Sequence, residues 1–173
     1  MSNPIFVTSV GRSGASFIAR VIAMSGGCFI GSIDRRYENF VLKYLIEHLP
    51  IDDTILTPFK KASHAPDNFK TTILDNLKYQ GLSPRHKWMF KHAALTRNWE
   101  IFHANFPNAK WVIVRRAEQD IVNACIKTAY MTQMKDKTNL KLIGATNEKA
   151  GWKWWINRYE GQWDSFSFVS LPY

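Results

Sequence analysis

The sequence GRSGAS, at residues 11–16, combines the residue types that bind an anion. Its two glycines permit backbone angles that turn several N–H groups toward one point, and the helical pattern that follows adds a positive helix N-terminus. The arginine adds a permanent charge, and the serines add hydroxyl donors. The loop predicts a phosphate or sulfate site, with a tight turn that binds no ligand as the alternative. The residues assigned to the site are Gly11, Arg12, Ser13, Gly14, Ala15 and Ser16.

The loop lacks the lysine of a nucleotide-hydrolysing P-loop. Ala15 stands where the pattern G-x-x-x-x-G-K-[ST] places that lysine, which reaches the terminal phosphates. The apolar segment WVIVRR, at residues 111–116, ends in two arginines and not in the acidic residue that helps to hold magnesium in such enzymes. These two differences disfavour ATP with magnesium and favour an anionic donor that needs no metal.

A second anion site is predicted where WVIVRR leads into AEQDIVNAC. Arg115 and Arg116 follow an apolar strand, and ligands of open α/β sheets bind beyond the carboxyl ends of the strands. Both arginines should therefore lie at the same edge as the loop. Because side chains alternate along a strand, we expect one arginine to face the ligand and the other to pair with Glu118 or Asp120.

Short apolar segments alternate with helical patterns, which predicts an α/β fold. The expected architecture is a three-layer αβα arrangement around a mostly parallel sheet, in one domain that spans residues 1–173. Residues 50–66 should form a loop, and residues 131–147 should be polar and mobile. The predicted strands are 5–10, 87–92 and 111–116, and the predicted helices are 15–24, 37–49, one from Phe69, one across Leu95–Phe102, one across Ile121–Ala129 and one across Trp152–Trp163.

Apolar residues in helical phase predict the buried faces of these helices. The predicted face of the first helix consists of Phe17, Ile18, Val21 and Ile22, and that of the second helix consists of Phe40, Val41, Tyr44, Leu45 and Leu49. In the last helix, the tryptophans on one face should pack in the core, while Trp154 should be exposed.

The chain has a net charge of +9 and a pI near 9.7, so its field attracts nucleotides, sulfated or phosphorylated substrates, nucleic acid or anionic membranes. Cys28 and Cys125 lie far apart, which indicates reduced thiols, and neither cysteines nor histidines have the spacing of metal ligands. No apolar run approaches about 18 residues, and the N-terminus lacks a signal-peptide pattern. A cytoplasmic protein without a membrane span or a metal is therefore expected.

The order strand, GRSGAS, helix and later strand, RRAEQD, helix resembles the sulfotransferases, which transfer a sulfuryl group from 3′-phosphoadenosine 5′-phosphosulfate (PAPS). The intervening FKHAALTRNWEIFHANFPNAKWVIVRR is also similar to that family. The family's first loop holds the 5′-phosphosulfate, and its second motif holds the 3′-phosphate. The resemblance implies a fold like that of the P-loop nucleoside-triphosphate hydrolases, PAPS as co-substrate and an acceptor hydroxyl or amine. The matching residues are Arg12, Ser13, Gly14 and Ser16 in the first motif, and Arg116 and Asp120 in the second.

Three residues depart from the family pattern. Ala15 replaces a threonine of the first loop, Glu118 replaces a proline, and Ala124 stands where the serine that binds the 3′-phosphate is expected. Losing one hydrogen bond to a charged group costs about 1.5–3 kcal/mol. We therefore expect Ala15 and Ala124 to weaken donor binding without preventing it.

Sulfuryl transfer needs a base for the acceptor proton and positive charge near the sulfuryl and leaving-group oxygens. The resemblance places Lys91 near the transferring group and Arg12 on the leaving 5′-phosphate. It places His92 near the position of the base in cytosolic members of the family. Asp34 is the second candidate for the base, and Glu38 is a weaker third.

The resemblance implies a small-molecule or glycan acceptor, and the positive net charge favours an anionic one. Two alternatives remain open: a catalytically weak or inactive binder of nucleotide or nucleic acid on the same basic edge, and a P-loop kinase acting on a small molecule. The missing lysine argues against the kinase. Nucleic acid is disfavoured because the sequence has no repeats in which basic and aromatic residues interleave.

Overall fold

The computed structural model describes residues 3–50, 62–130 and 132–163. The strands in these ranges are β1 (Ile5–Thr8), β2 (Cys28–Phe29), β3 (Lys87–Lys91) and β4 (Lys110–Ile113). The α-helices in these ranges are α1 (Ala15–Met24), α2 (Phe40–Glu47), α3 (Phe69–Tyr79), α4 (Ala94–Arg97), α5 (Trp99–Asn105), α6 (Glu118–Thr128), α7 (Lys137–Leu142) and α8 (Glu148–Glu160). Short 3₁₀ helices cover Thr132–Lys135 and Gly161–Trp163.

The strands form one sheet in the order β2-β3-β1-β4, and every pairing is parallel. β1 lies inside the sheet, where Phe6 pairs with Phe90 of β3 on one side and with Trp111 of β4 on the other. The predicted α/β class with a parallel sheet is confirmed. Because the strands are parallel, the segments that follow β1, β3 and β4 all begin at the same edge of the sheet.

Helices cover both faces of the sheet. Neighbouring residues of β1 point in opposite directions, so successive side chains pack against different layers of helices. Phe6 lies in a buried cluster with side chains of α2, α3 and α5. Val7 lies in a separate cluster with Ala15 and Ala19 of α1. A third cluster joins α6 to α8 around Trp152. The loop that follows β1 is thus held between two packed layers.

α1 has the predicted bounds but buries only part of its predicted face, since Ile18 and Ile22 pack against the cluster around Val7. Ala15 and Ala19 pack on the sheet, whereas the side chains of Phe17 and Val21 are 58% and 49% exposed. Small residues at the contact allow a helix to approach the sheet closely, and interiors leave few voids that larger side chains could occupy. The prediction that Phe17 and Val21 lie on the buried face is therefore wrong.

α2 is shorter at both ends than predicted, and only part of the predicted face lies inward, where Leu45 and Leu49 pack in the core. Asn39 caps it, with Oδ1 accepting hydrogen bonds from two backbone N–H groups of the first turn, both at 3.1 Å. Leu42 and Ile46 are buried, while Phe40 and Tyr44 are exposed. The prediction that Phe40 and Tyr44 are buried is wrong. Apolar residues occur almost all round this helix, so their periodicity alone cannot identify the inward face.

The helix predicted across Leu95–Phe102 is interrupted at Asn98 to give α4 and α5. Asn98 is buried, and its Oδ1 accepts a hydrogen bond from the Ala62 N–H at 2.9 Å. A side chain that binds distant backbone competes with a continuous helix. The preceding loop prediction for residues 50–66 lies partly outside the described residues, which resume at Ala62.

Residues 131–147 contain more regular structure than predicted. Beyond residue 131, which is not described, they include the first 3₁₀ helix and α7. Met134 is fully buried in the cluster between α6 and α8, and Leu140 is 8% exposed. Asp136 caps α7 by accepting two backbone N–H groups. The high polarity of this segment reflects its outer face, while its few apolar residues anchor it.

The aromatic residues of the last helix confirm the prediction of a packed face. Trp152, Trp155 and Trp163 are buried. Trp154 is half-buried and lies beneath the Arg158 guanidinium, with 5.3 Å between the guanidinium carbon and the ring centroid. In the described part of the chain, no helix has the length and apolarity that a bilayer crossing demands.

Candidate functional site

The loop between β1 and α1 turns through left-handed backbone angles. Arg12 has φ 70° and Gly14 has φ 94°, a region that non-glycine residues rarely adopt. The Gly14 carbonyl accepts the Phe17 N–H at 3.0 Å, so the first turn of α1 starts directly from the loop. Ser13 is buried, and its Oγ donates to the Val10 carbonyl at 2.7 Å. The Ser13 hydroxyl proton is thus used inside the loop and is not directed toward a ligand.

A cavity of about 370 Å³, called the loop cavity below, lies over this turn. Its wall includes the carboxylate of Glu38 and four cationic side chains, those of Arg12, Arg36, Lys91 and Arg116. The loop itself contributes Gly11, Arg12, Gly14, Ala15 and Ser16. The structure therefore brings together two regions that are far apart in sequence, the GRSGAS loop and the end of β4, as the strand order requires.

The two arginines that follow β4 have different surroundings, but the predicted pairing is wrong, because the arginine at the loop cavity is also the one that pairs with Asp120. Arg116 borders the loop cavity, and its Nε lies 3.6 Å from Asp120 Oδ2. Arg115 Nη2 instead donates to the Glu160 carbonyl at 3.4 Å. Both arginines also border an open depression beside Ser13. Arg116 is thus the arginine directed toward the loop, and its exposed ion pair with Asp120 is weak enough to exchange for an anionic ligand.

A smaller cavity of about 180 Å³, called the second cavity below, adjoins the loop cavity. Lys91 borders the loop cavity, whereas its neighbour His92 borders the second cavity. Alternation along β3 therefore sends these two side chains to different cavities. Glu38 borders both of them. The remaining side chains of the second cavity come from α2, α4, α8 and the segments around residues 36 and 130.

Glu38 is a buried carboxylate held by two lysines. Lys91 Nζ lies 2.6 Å from Glu38 Oε1, and both side chains are less than a tenth exposed. Lys43 Nζ lies 3.4 Å from the other oxygen, Oε2. Burying such a pair costs desolvation energy that only close geometry and further hydrogen bonds offset, so the charges of Glu38 and Lys91 depend on one another.

His92 is oriented by the backbone and by two carboxylates. The Ala94 N–H donates to His92 Nδ1 at 3.1 Å, which makes Nδ1 the acceptor nitrogen and assigns the proton of the neutral ring to Nε2. Nε2 lies 3.7 Å from Glu38 Oε2 and 3.6 Å from Glu47 Oε1. The interaction with His92 holds the pKa of Glu47 below its ordinary value. In this arrangement neutral His92 has no unused lone pair for an acceptor proton.

Asp34 lies in a turn that positions Glu38. Its Oδ1 accepts the backbone N–H groups of Arg36 at 2.7 Å and of Glu38 at 3.1 Å. Burial opposes ionisation of Asp34, but these two hydrogen bonds and Lys43 outweigh it and keep the pKa below its ordinary value. Asp34 borders neither cavity. Its geometry is that of a turn-forming residue behind Glu38.

Tyr130 forms a wall between the two cavities, a role that its sequence position does not signal. It borders both cavities and packs near Trp152, with ring centroids 6.0 Å apart. A methyl group at Gly11 would collide with the Tyr130 ring. Glycine is therefore required at this loop position by a side chain far away in sequence. Burial raises the pKa of the Tyr130 phenol, so it stays protonated near neutral pH.

Ala124 lies on α6 and borders neither cavity. Its carbonyl accepts the Thr128 hydroxyl at 2.8 Å, and the nearby Cys125 is a buried thiol whose pKa burial raises to about 12. Cys28 and Cys125 are both free thiols, in agreement with the expectation from sequence. Among the described residues, no cluster of three or more His, Cys, Asp or Glu side chains could hold a metal ion.

The site thus joins the GRSGAS loop, with its Arg12, to three further cationic side chains and a carboxylate at the carboxyl edge of a parallel sheet. Comparison of the chain with protein-family models, with curated proteins and with solved structures found no match.

Proposed function

We propose that this protein transfers a sulfuryl group from PAPS to a hydroxyl or amine of a small acceptor. The observation that carries the proposal is the position of Glu38, a buried carboxylate that borders both the loop cavity and the second cavity. A transfer enzyme needs a proton acceptor at the boundary between its two substrates. The proposal includes a fold related to that of the P-loop nucleoside-triphosphate hydrolases.

In this proposal the donor occupies the loop cavity. Arg12 and the loop N–H groups bind the 5′-phosphosulfate, and Arg116 binds the 3′-phosphate. Lys91 borders the same cavity and stabilises the negative charge of the transferring sulfuryl oxygens. The support is the convergence of four cationic side chains, with Arg36 as the fourth, on one cavity that also includes a helix N-terminus.

The acceptor occupies the second cavity, and Glu38 takes its proton. The acceptor oxygen forms a bond to sulfur as the bond from sulfur to the 5′-phosphate oxygen breaks. The electron pair leaves with that phosphate, as 3′,5′-adenosine bisphosphate. We assign the base to Glu38 and a positioning role to His92, because Nδ1 of His92 is occupied by a backbone donor and Nε2 carries the proton.

The second candidate function is binding of an adenosine bisphosphate without efficient turnover. Two observations favour it: the Ser13 proton is used by the Val10 carbonyl, and Ala124 contributes no side-chain donor to the loop cavity. Both reduce the number of donors that a bound nucleotide would receive. The kinase alternative has less support, because Ala15 occupies the position of the P-loop lysine.

Donor binding is tested by calorimetric titration with 3′,5′-adenosine bisphosphate, compared with ATP and magnesium. The bisphosphate should bind and raise the melting temperature, because a ligand specific for the folded state stabilises it. Arg12→Ala and Arg116→Ala should each weaken binding at least tenfold. Arg20→Ala is the matched control, an exposed arginine on α1 that borders neither cavity. Tighter binding of ATP with magnesium, or unchanged affinity in both site variants, would contradict the proposal.

The assignment of the base is tested by release of the bisphosphate from PAPS in the presence of mixed hydroxyl and amine compounds, followed by chromatography. Glu38→Gln should reduce the rate about 10²–10⁴-fold while the bisphosphate still binds. His92→Gln should reduce it less, because the glutamine retains a donor toward Glu38. A larger loss in His92→Gln than in Glu38→Gln would return the base to His92. Wild-type protein that binds the bisphosphate but never releases it from PAPS would favour the second candidate.

A further inference from the structure

The second cavity has more cationic than anionic side chains in its wall. Arg36, Lys43 and Arg97 border it, against the carboxylates of Glu38 and Glu47. Glu38 already has Lys91 on one oxygen and Lys43 on the other. The field that a small molecule meets in this cavity is therefore positive.

Arg36 is the side chain of this cavity that is best prepared to bind a ligand. It is exposed and borders both cavities, and its backbone N–H is fixed by Asp34 Oδ1 at 2.7 Å. In the ranges that the structure describes, no carboxylate forms an ion pair with Arg36. A guanidinium in this position offers a planar fork that matches a carboxylate.

Two aromatic side chains, whose ring planes are inclined at 56° to each other, line one wall of the second cavity. Trp155 and Tyr159 are buried, and their ring centroids lie 4.5 Å apart. Both rings border the cavity, and they are apolar, whereas the side chains that α2 contributes to the cavity are charged. A volume of about 180 Å³ accommodates roughly a dozen water-sized atoms, which suits a single ring with its substituents.

We infer that the second cavity selects a compact, single-ring acceptor that carries a carboxylate as well as the reacting hydroxyl. Arg36 binds the carboxylate, Trp155 and Tyr159 contact the ring, and the hydroxyl faces Glu38. The role of the hydroxyl rests on the proposed sulfuryl transfer, whereas recognition of the carboxylate does not.

A cationic acceptor fits the same cavity less well. The negative charge of the Glu38 carboxylate is compensated by its ion pairs with Lys43 and Lys91. The side chain of Glu47 is 44% exposed and directed toward His92. A cation would thus meet one solvated carboxylate, whereas an anion meets Arg36 with Arg97 nearby. Burial lowers the pKa of the Arg97 guanidinium, but an arginine remains charged at neutral pH even so.

The test uses two isosteric pairs that differ in charge alone: D-glucuronate against D-glucuronamide, and 4-hydroxybenzoate against 4-hydroxybenzamide. Each is titrated into the full chain, with and without saturating 3′,5′-adenosine bisphosphate, and binding is followed by NMR or calorimetry. The carboxylate of at least one pair should bind about tenfold to hundredfold more tightly than its amide, as expected for hydrogen bonds to a charged group. Arg36→Gln should abolish that preference, and the neighbouring Arg35→Gln should leave it unchanged.

The outcomes separate this inference from the proposed function. Equal binding within both pairs, or no binding by any of the four compounds at millimolar concentration, overturns the inference while bisphosphate binding is unaffected. A preference that survives in Arg36→Gln, or an Arg36→Gln effect confined to the bisphosphate, also overturns it. A preference that depends on Arg36 in a protein that does not bind the bisphosphate supports the carboxylate site and removes the proposed donor.

Discussion

The loop cavity and the second cavity share the Glu38 carboxylate but are built from different kinds of groups. The loop cavity is lined largely by residues of the loop after β1 and of the first turn of α1, with Arg116 from the segment after β4. The second cavity is lined by residues of three helices, α2, α4 and α8, and by the segments that follow β1, β3 and α6 and the segment that precedes α2. Backbone donors at a helix N-terminus bind any phosphate or sulfate of suitable size, whereas a set of side chains distinguishes ligands by charge and shape. In the proposed function the first cavity therefore supplies affinity for an anion, and the second supplies selectivity.

The difference also affects how each cavity responds to substitution. Backbone donors remain when one side chain of the loop is changed. The second cavity depends on Glu38, whose charge is compensated by lysines on each side. Changes near Glu38 should therefore have larger effects on the protein than changes in the loop.

The largest effect is expected for Lys91→Met. It removes the closest partner of a buried carboxylate and should lower the free energy of unfolding by about 3–5 kcal/mol. Urea denaturation measures this loss. Lys43→Met is the matched control: its ammonium is farther from Glu38 and its side chain is 28% exposed, so its loss should be much smaller. Equal losses in the two variants would mean that Glu38 is stabilised as a diffuse cluster and not by the Lys91 contact.

Gly11→Ala should have the next largest effect, because the added methyl group meets the Tyr130 ring. Overpacking of this kind costs about 1–3 kcal/mol, measured as a loss of unfolding free energy, and should also weaken bisphosphate binding. The double variant Gly11→Ala/Tyr130→Ala should recover most of the binding, since the obstructing ring is absent. Gly161→Ala is the control, because no atom lies within 4 Å of a methyl group there. A double variant no better than Gly11→Ala would exclude Tyr130 as the cause.

The sequence predicts the loop cavity better than the second cavity, and the physical reason is sequence separation. The loop residues are contiguous, so their conformational requirements appear together in GRSGAS. The contact between Glu38 and Lys91 joins residues 53 positions apart and depends on the turn at Asp34 and the cap at Asn39. Neither feature produces a periodic pattern. Glu38 was therefore predicted only as the third candidate for the base.

The same reason explains the errors in the fold. The pattern of short apolar segments at β1, β3 and β4 was sufficient to predict an α/β fold with a parallel sheet. The predictions of which faces of α1 and α2 point inward were partly wrong, since both helices carry apolar residues on more than one face. Tyr130 gave no signal, because its role depends on its contact with Gly11. Tertiary contacts decided all of these cases.

After Lys91→Met and Gly11→Ala, the next largest effect on the free energy of unfolding is expected for Asp34, and it depends on pH. Its pKa is lower in the folded protein than in the unfolded chain, so its charge stabilises the fold above its unfolded pKa, and this contribution is lost as the pH falls through the folded pKa. Asp34→Asn should reduce the free energy of unfolding by about 1 kcal/mol near neutral pH, and the difference from wild type should disappear in acid below the folded pKa. Urea denaturation across the acidic range measures both. A constant difference at every pH would assign the loss to packing.

The smallest effect should distinguish the two alanines of the donor motifs. Ala15 borders the loop cavity and is also 5% exposed where α1 packs on the sheet. Serine adds only one hydroxyl oxygen at this position, so Ala15→Ser should strengthen bisphosphate binding about twofold to tenfold, the range of one net hydrogen bond. Ala124→Ser is the matched comparison, and it should leave the affinity unchanged because Ala124 borders neither cavity. Calorimetric titration of both variants measures the difference. A gain in Ala124→Ser without one in Ala15→Ser would mean that the nucleotide extends along α6, and the anion site would then have to be moved from the loop toward that helix.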